Sequence, residues 1–196
     1  MKIEAKYNNF VAWINSTYKV KVINIFEDLL SENLIRLQII FETEAEVGAF
    51  LVKKPVFTFS KRKQTEVRKK YRELINVDIA GNEVLVLFYA FQPIARQDVN
   101  NKVSAKFIEK LKKKYSEEIW VIQRYGEHTI FFFYTKKQLT TAKKSFLLSK
   151  LESEYYKELK KHDKFDYFSL KNFNAHFDSK ENFEVNYDGN WRRYFD

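Results

Sequence analysis

Between residues 84 and 178 the spacing of apolar residues switches from strand-like to helical and back, and that order restricts the folds open to this chain. Residues 84–91, Val-Leu-Val-Leu-Phe-Tyr-Ala-Phe, form an unbroken apolar run. It is far shorter than the ~20 residues that span a bilayer and reads as a strand. A helix is predicted after Ser104, whose hydroxyl can cap it, with Phe107, Ile108, Leu111 and Tyr115 on one face. Residues 119–125 and 128–134 read as strands around a tight turn at Gly126-Glu127. Thr140 or Thr141 is expected to open a long helix with Leu148, Leu151, Tyr155 and Leu159 as its stripe, and residues 167–177 to supply a last strand. Strand, helix, hairpin, helix, strand is the βαββαβ order of an α+β, ferredoxin-like fold. In that fold an antiparallel sheet carries two helices on one face.

The first 82 residues repeat the same vocabulary. Phe10, Val11, Trp13 and Ile14 suggest a helix over 6–16, and Val20, Val22 and Ile25 a strand. In residues 34–41, Ile35, Leu37, Ile39 and Phe41 alternate with Arg36 and Gln38, the mark of a strand with one wet face. Thr43 and Glu46 match a capping box, followed by a helical stripe of Val47, Phe50 and Leu51 that ends near Pro55 and then a short strand at 56–59. Val67, Tyr71, Leu74 and Ile75 place a helix over 64–75. Gly81-Asn82 between apolar runs predicts a β-hairpin of 76–80 with 84–91. No internal repeat and no linker-like stretch is evident. Residues 1–82 are therefore read as an N-terminal α/β extension of the same sheet and 83–196 as the ferredoxin-like domain with its tail; a separate small N-terminal domain is the second reading. In that tail, Trp191 and Tyr194 stand three apart among polar neighbours, and docking of the tryptophan onto the sheet or long helix is expected.

Composition narrows the chemistry. The 196 residues contain no cysteine, which excludes a disulfide scaffold, an iron–sulfur site, a thiolate zinc site and a cysteine nucleophile, and suits a reducing cytoplasm. Lys2, Glu4 and Lys6 stand where a secretory segment needs an unbroken apolar run, so no signal peptide is expected. The histidines, His128, His162 and His176, are far apart in sequence and match no metal-ligand spacing, so neither metal nor cofactor is expected. Four scattered glycines make no phosphate-cradling loop, and neither a GxSxG elbow nor converging carboxylates are present. A non-enzyme is the expectation. An RNA-recognition reading of the aromatic sheet also fails its own test, because residues 125–134 lack the basic-Gly-aromatic order of the ribonucleoprotein motif.

Charge is the feature that points outward. The net charge is +9. Residues 53–72 hold nine cations (Lys53, Lys54, Lys61, Arg62, Lys63, Arg68, Lys69, Lys70 and Arg72) against the single acid Glu66, so this window carries +8 of the total. With Val67, Tyr71 and Leu74 directed to a core, Lys61, Arg62, Lys63, Arg68, Lys69 and Arg72 are the predicted partner- or nucleic-acid-binding residues. Such a patch attracts an acidic protein surface or a phosphate backbone.

The stretch from the Ser104 helix through Trp120-Val121-Ile122-Gln123-Arg124-Tyr125-Gly126-Glu127-His128 to Phe131-Phe132-Phe133-Tyr134, with the closing Trp191-Arg192-Arg193-Tyr194, resembles the bacterial domain of unknown function 695. The similarity covers about residues 84–196. It implies a ferredoxin-like fold and kinship with the regulator of ribonuclease activity B group, which bind and restrain a ribonuclease without catalysis. Members of that group are acidic whereas this chain is basic, and the family offers no catalytic residues to carry over. The function expected is a non-catalytic, cytoplasmic binding or regulatory protein of the ribonuclease-regulator or toxin-neutralising type. The alternative is an RNA- or DNA-binding module that uses the basic segment.

Overall fold

The alternating stretch predicted at 34–41 is the middle strand of an N-terminal sheet. The computed structural model describes residues 3–52, 58–75, 83–173 and 175–195, and the chain divides into two units, residues 1–92 and 93–196. In the first unit, Asn8–Tyr18 (α1) precedes the antiparallel hairpin of Val22–Ser31 (β1) and Leu34–Phe41 (β2). Glu44–Gly48 (α2), the small antiparallel pair Leu51–Val52 (β3) and Thr58–Phe59 (β4), and Lys61–Ile75 (α3) follow. Glu83–Ala90 (β5) then returns parallel to β2, in register from Leu34↔Glu83 to Phe41↔Ala90. Residues 76–82, one arm of the expected hairpin with its turn, and part of the strand expected at 56–59 lie outside the described residues.

One face of this sheet is covered. Ile35, Leu37, Ile39 and Phe41 of β2 and Val84, Val86 and Phe88 of β5 are buried with Phe10 and Ile14 of α1 and Val67 and Tyr71 of α3. The rings of Phe41, Phe50 and Phe88 stack face to face, with centroids 5.0 Å (Phe41–Phe50) and 4.2 Å (Phe50–Phe88) apart. The other face bears the Asp28–Arg36 ion pair and the exposed rings of Phe26 and Tyr89. Within the covered side, Glu27 accepts hydrogen bonds from the phenols of Tyr7 (2.6 Å) and Tyr71 (2.7 Å), tying the β1 strand to α3.

Phe91–Lys102 (α4), whose first two residues belong to the first unit, and Ala105–Lys114 (α5) lead into the second unit's hairpin of Ile119–Tyr125 (β6) and His128–Phe133 (β7). Lys136–Lys143 (α6) and Leu147–Lys160 (α7) cross back to His176–Ser179 (β8), which is parallel to β7. Lys180–Tyr187 (α8) and Trp191–Phe195 (α9) end the unit. Here both sheet faces are covered. Phe131 and Phe133 pack with Leu111 of α5 and Leu151, Tyr155 and Leu159 of α7; Ile130 and Phe132 pack with Phe183, Trp191 and Tyr194 of α8 and α9. The tail tryptophan therefore docks on the sheet as expected, stacked on Phe183 at 4.0 Å and on Trp120 at 6.0 Å between centroids.

The α+β class holds, but the ferredoxin-like βαββαβ sheet over 84–178 does not. Strands 83–90 and 119–125 belong to different sheets, so residues 1–82 do not extend the C-terminal sheet. The physical reason is that β5 has apolar residues on both sides and needs a strand neighbour and a helical cover; β2 supplies an eight-residue ladder and α1 and α3 the cover. A parallel return also needs a long crossover, which α2 and α3 provide. Four local readings change as well. The helix expected to run through Phe50 and Leu51 stops at Gly48, and Leu51 opens β3. The loop expected at Pro93 is α4, with proline tolerated in its first turn. The long helix expected from Thr140 is two helices, because Thr135 caps α6 while Thr140 and Thr141 bond back to the carbonyls of Lys136 (2.8 Å) and Lys137 (3.1 Å) inside it. The last strand begins at His176 rather than Tyr167.

Although the sequence shows no repeat, both units share one order: helix, hairpin, helical crossover, and a strand parallel to the second hairpin strand. The crossover opens on a capping box each time, Thr43 with Glu46 and Thr135 with Gln138.

Candidate functional site

All six sequence-predicted binding residues lie on α3. At 3.6 residues per turn, Val67, Tyr71 and Leu74 share the inner face, and Gln64 at its edge donates to the Val86 carbonyl oxygen at 2.7 Å. Lys61, Arg62, Lys69 and Arg72 are exposed on the outer face, whereas Lys63 and Arg68 are partly buried. The acids of the helix stand to one side: Glu66 pairs with Arg62 at 3.5 Å and accepts from the Tyr18 phenol at 3.0 Å, and Glu73 pairs with Lys70 at 2.6 Å. Lys61, Arg68 and Lys69 stand outside these pairs, and Arg68 and Arg72 line a surface pocket with Glu83 of β5. Arg68 Nε is buried with no hydrogen-bond partner among the described residues.

Lys63 departs from its expected role. Its ammonium donates to the Ala49 carbonyl oxygen and lies 5.8 Å and 5.9 Å from the ring centroids of Tyr18 and Phe50. It fastens α3 to the end of α2 and does not face outward. Lys53 and Lys54 lie outside the described residues.

A second cluster, missed by sequence reasoning, sits at the hairpin end of the C-terminal sheet. His128 opens β7 and His176 opens β8; the register that pairs Ile130 with His176 brings the two rings together, Nδ1 of His128 lying 3.3 Å from Nε2 of His176. They are 48 residues apart in sequence, so no spacing rule could pair them. Both line a cavity of about 200 Å³ with Arg96, Glu127, Phe168 and Asn172.

The scaffold beneath this cavity is well tied. Asn100 of α4, fully buried, donates to the carbonyl oxygens of Gly126 (3.3 Å) and His128 (3.0 Å) and accepts from the hydroxyls of Thr129 (3.0 Å) and Tyr155 (2.8 Å). All four hydrogen-bonding positions of its side chain are thereby used. Gly126, with φ +58°, supplies the left-handed turn residue. Arg124 caps α4 by donating to the carbonyl oxygens of Asn100, Asn101 and Val103. Glu127 pairs with Arg96 at 3.3 Å, and Arg96 also donates to the Tyr167 carbonyl oxygen at 3.0 Å. The loop carrying Phe168 is pinned by Asp163, which accepts from the backbone amides of Tyr167 (3.0 Å) and Phe168 (2.9 Å) and pairs with Lys160 at 2.8 Å. Burial works against the Asp163 carboxylate, but these donors outweigh it and hold its pKa below the usual range. Partial burial, then the neighbouring His128, hold His176 below the ordinary imidazole range.

Among the described residues, no group of three or more His, Cys, Asp or Glu converges as a metal cage, and no helix is long and apolar enough to cross a membrane. Neither models of known protein families, nor curated proteins, nor solved structures match the chain.

Proposed function

We propose that the chain is a non-catalytic, cytoplasmic binding and regulatory protein that grips an acidic macromolecular partner through α3. The observation that carries this reading is the concentration of Lys61, Arg62, Lys69 and Arg72 on the exposed side of α3, a helix with only two acids of its own. Desolvated cations at a protein interface steer encounter with an acidic surface and fix its register. The resemblance to the ribonuclease-regulator group supports a ribonuclease or toxin as the kind of partner restrained. A nucleic-acid reading is favoured by one detail. Arg68 and Arg72 line one surface pocket, and a planar guanidinium suits phosphate oxygens.

The test is a triple charge reversal, Lys61→Glu, Arg62→Glu and Lys69→Glu, at exposed positions that leave Lys63 and Arg68 in place. Partners captured from the native host by the wild-type chain should be lost from the variant, with circular dichroism unchanged. Fluorescence anisotropy with labelled single-stranded RNA and duplex DNA separates the two readings: a nucleic-acid binder loses affinity steeply with salt, by a slope of about 0.9 per phosphate neutralised. Capture and affinity unaltered by the triple variant would remove α3 from the function.

A further inference from the structure

We infer that His128 and His176 form a two-histidine binding site for a borderline divalent transition-metal ion of the Zn²⁺ class, at the hairpin end of the C-terminal sheet. This inference is independent of the role of α3.

Distance is the first argument. A tetrahedral ion bound by imidazole nitrogens at about 2.0–2.1 Å holds those nitrogens about 3.3–3.4 Å apart. The facing nitrogens, Nδ1 of His128 and Nε2 of His176, already lie 3.3 Å apart. The rings stand at 72° to one another with centroids 5.0 Å apart, so their lone pairs converge on a common point after a small rotation about each soft Cβ–Cγ torsion.

The second argument is support. The backbone of His128 is held by Asn100, and His176 is set opposite Ile130 by the parallel ladder. The outer nitrogen of His128, Nε2, lies 4.0 Å from Glu127 Oε1, beyond hydrogen-bond distance, so the carboxylate adds negative charge beside the pair without fixing the ring. Glu127 is in turn held by Arg96, whose own charge that ion pair offsets.

The third argument is access. The His128 side chain is 51% exposed and both rings line the cavity, so an ion can enter and solvent can complete its coordination. Only two protein ligands are present among the described residues, leaving positions for water or an exogenous ligand. Imidazole selects zinc, nickel and copper over magnesium and calcium, which prefer oxygen. Any proton on a facing nitrogen leaves it when the ion binds, passing to the outer nitrogen of the same ring or to solvent water, so that each facing nitrogen offers its lone pair.

The experiment is a titration of the full chain, made without a histidine tag, with Zn²⁺ and separately with Mg²⁺. Isothermal calorimetry should show one Zn²⁺ per chain and no heat of binding with Mg²⁺. Binding should be lost in both His128→Gln and His176→Gln and kept in His162→Gln. On the unsubstituted protein, Zn²⁺ should shift the imidazole proton resonances of His128 and His176 while those of His162 stay in place, a readout that needs no variant to fold. Absence of saturable Zn²⁺ binding, or binding that survives either His128→Gln or His176→Gln, would overturn the inference.

Discussion

The two units use the same order of elements and differ in how many sheet faces they cover. In the first, β2 alternates buried and half-buried residues along its whole length, and the helices α1 and α3 lie on one side. In the second, Thr129 to Phe133 are all buried, because α5 and α7 cover one face and α8 and α9 the other. Burial along the strand thus reports the number of layers: one covered face leaves alternate residues buried, as in β2 and also in the apolar run of β5, whereas two covered faces bury every residue of β7 after His128. The aromatic tail is what permits the second pattern. The crossovers differ too. The first unit returns through the unbroken, strongly basic α3, whereas the second uses two helices and a loop, residues 161–173, that closes over the histidine cavity.

The largest expected effects probe that second cover. Phe132 is fully buried beneath α8 and α9, and Phe132→Ala should cost about 3–5 kcal/mol. Urea unfolding measures the loss, and amide exchange should quicken across β6–β8 far more than across β1–β2. An equal change in both sheets would break the contrast.

Next is Asn100→Leu, which takes the amide partner from the hydroxyls of Thr129 and Tyr155 and from the carbonyls of Gly126 and His128. It should destabilise by about 3 kcal/mol, given ~1–3 kcal/mol for each buried group left unsatisfied and partial relaxation. The first unit has no counterpart to this network among its described buried residues; its nearest analogue is Glu27 with two tyrosines.

Trp191→Ala should cost less, about 1–3 kcal/mol, since the ring is only partly buried while stacking on Phe183 and Trp120. An unchanged melting temperature would show that the tail does not cover the sheet.

A smaller effect belongs to Glu27. Burial raises its pKa, but hydrogen bonds from Tyr7 and Tyr71 and the charge of Lys6 outweigh it and leave the carboxyl below its usual range. A depressed carboxylate stabilises the fold above its unfolded pKa, about 4.3, and that contribution is lost as pH falls through the folded value. Stability of the wild type should therefore decline on acidification below that range more steeply than that of Glu27→Gln, as followed by unfolding at pH 6 down to pH 3. Parallel curves would remove Glu27 from the acid response.

The smallest effect is that of the triple reversal on α3, whose exposed cations should change stability by no more than about 0.5 kcal/mol. A larger loss would mean that these cations hold the fold together rather than face a partner.

Local features were legible in the sequence because their partners are a few residues away. The capping box of Thr43 with Glu46, the cap of Ser104 on α5, the stripe of Val67 and Tyr71 and the turn at Gly126 all appear where spacing put them. The six basic residues could likewise be assigned to one helix. That Lys63 is turned inward was not readable, since its carbonyl partner and its two rings come from α1 and the end of α2.

By itself the sequence determined most of the strands and helices and which side of each is apolar, for these follow from interactions within a turn or a pleat. Only the tertiary structure decided which strands became neighbours. An apolar strand such as β5 is content beside any strand that offers a ladder and a helical cover, so β2 rather than β6 became its partner. The same long-range choice, a parallel register between β7 and β8, set His128 against His176. A contact made across 48 residues has no period to announce it; it exists only because β8 pairs with β7 in this register.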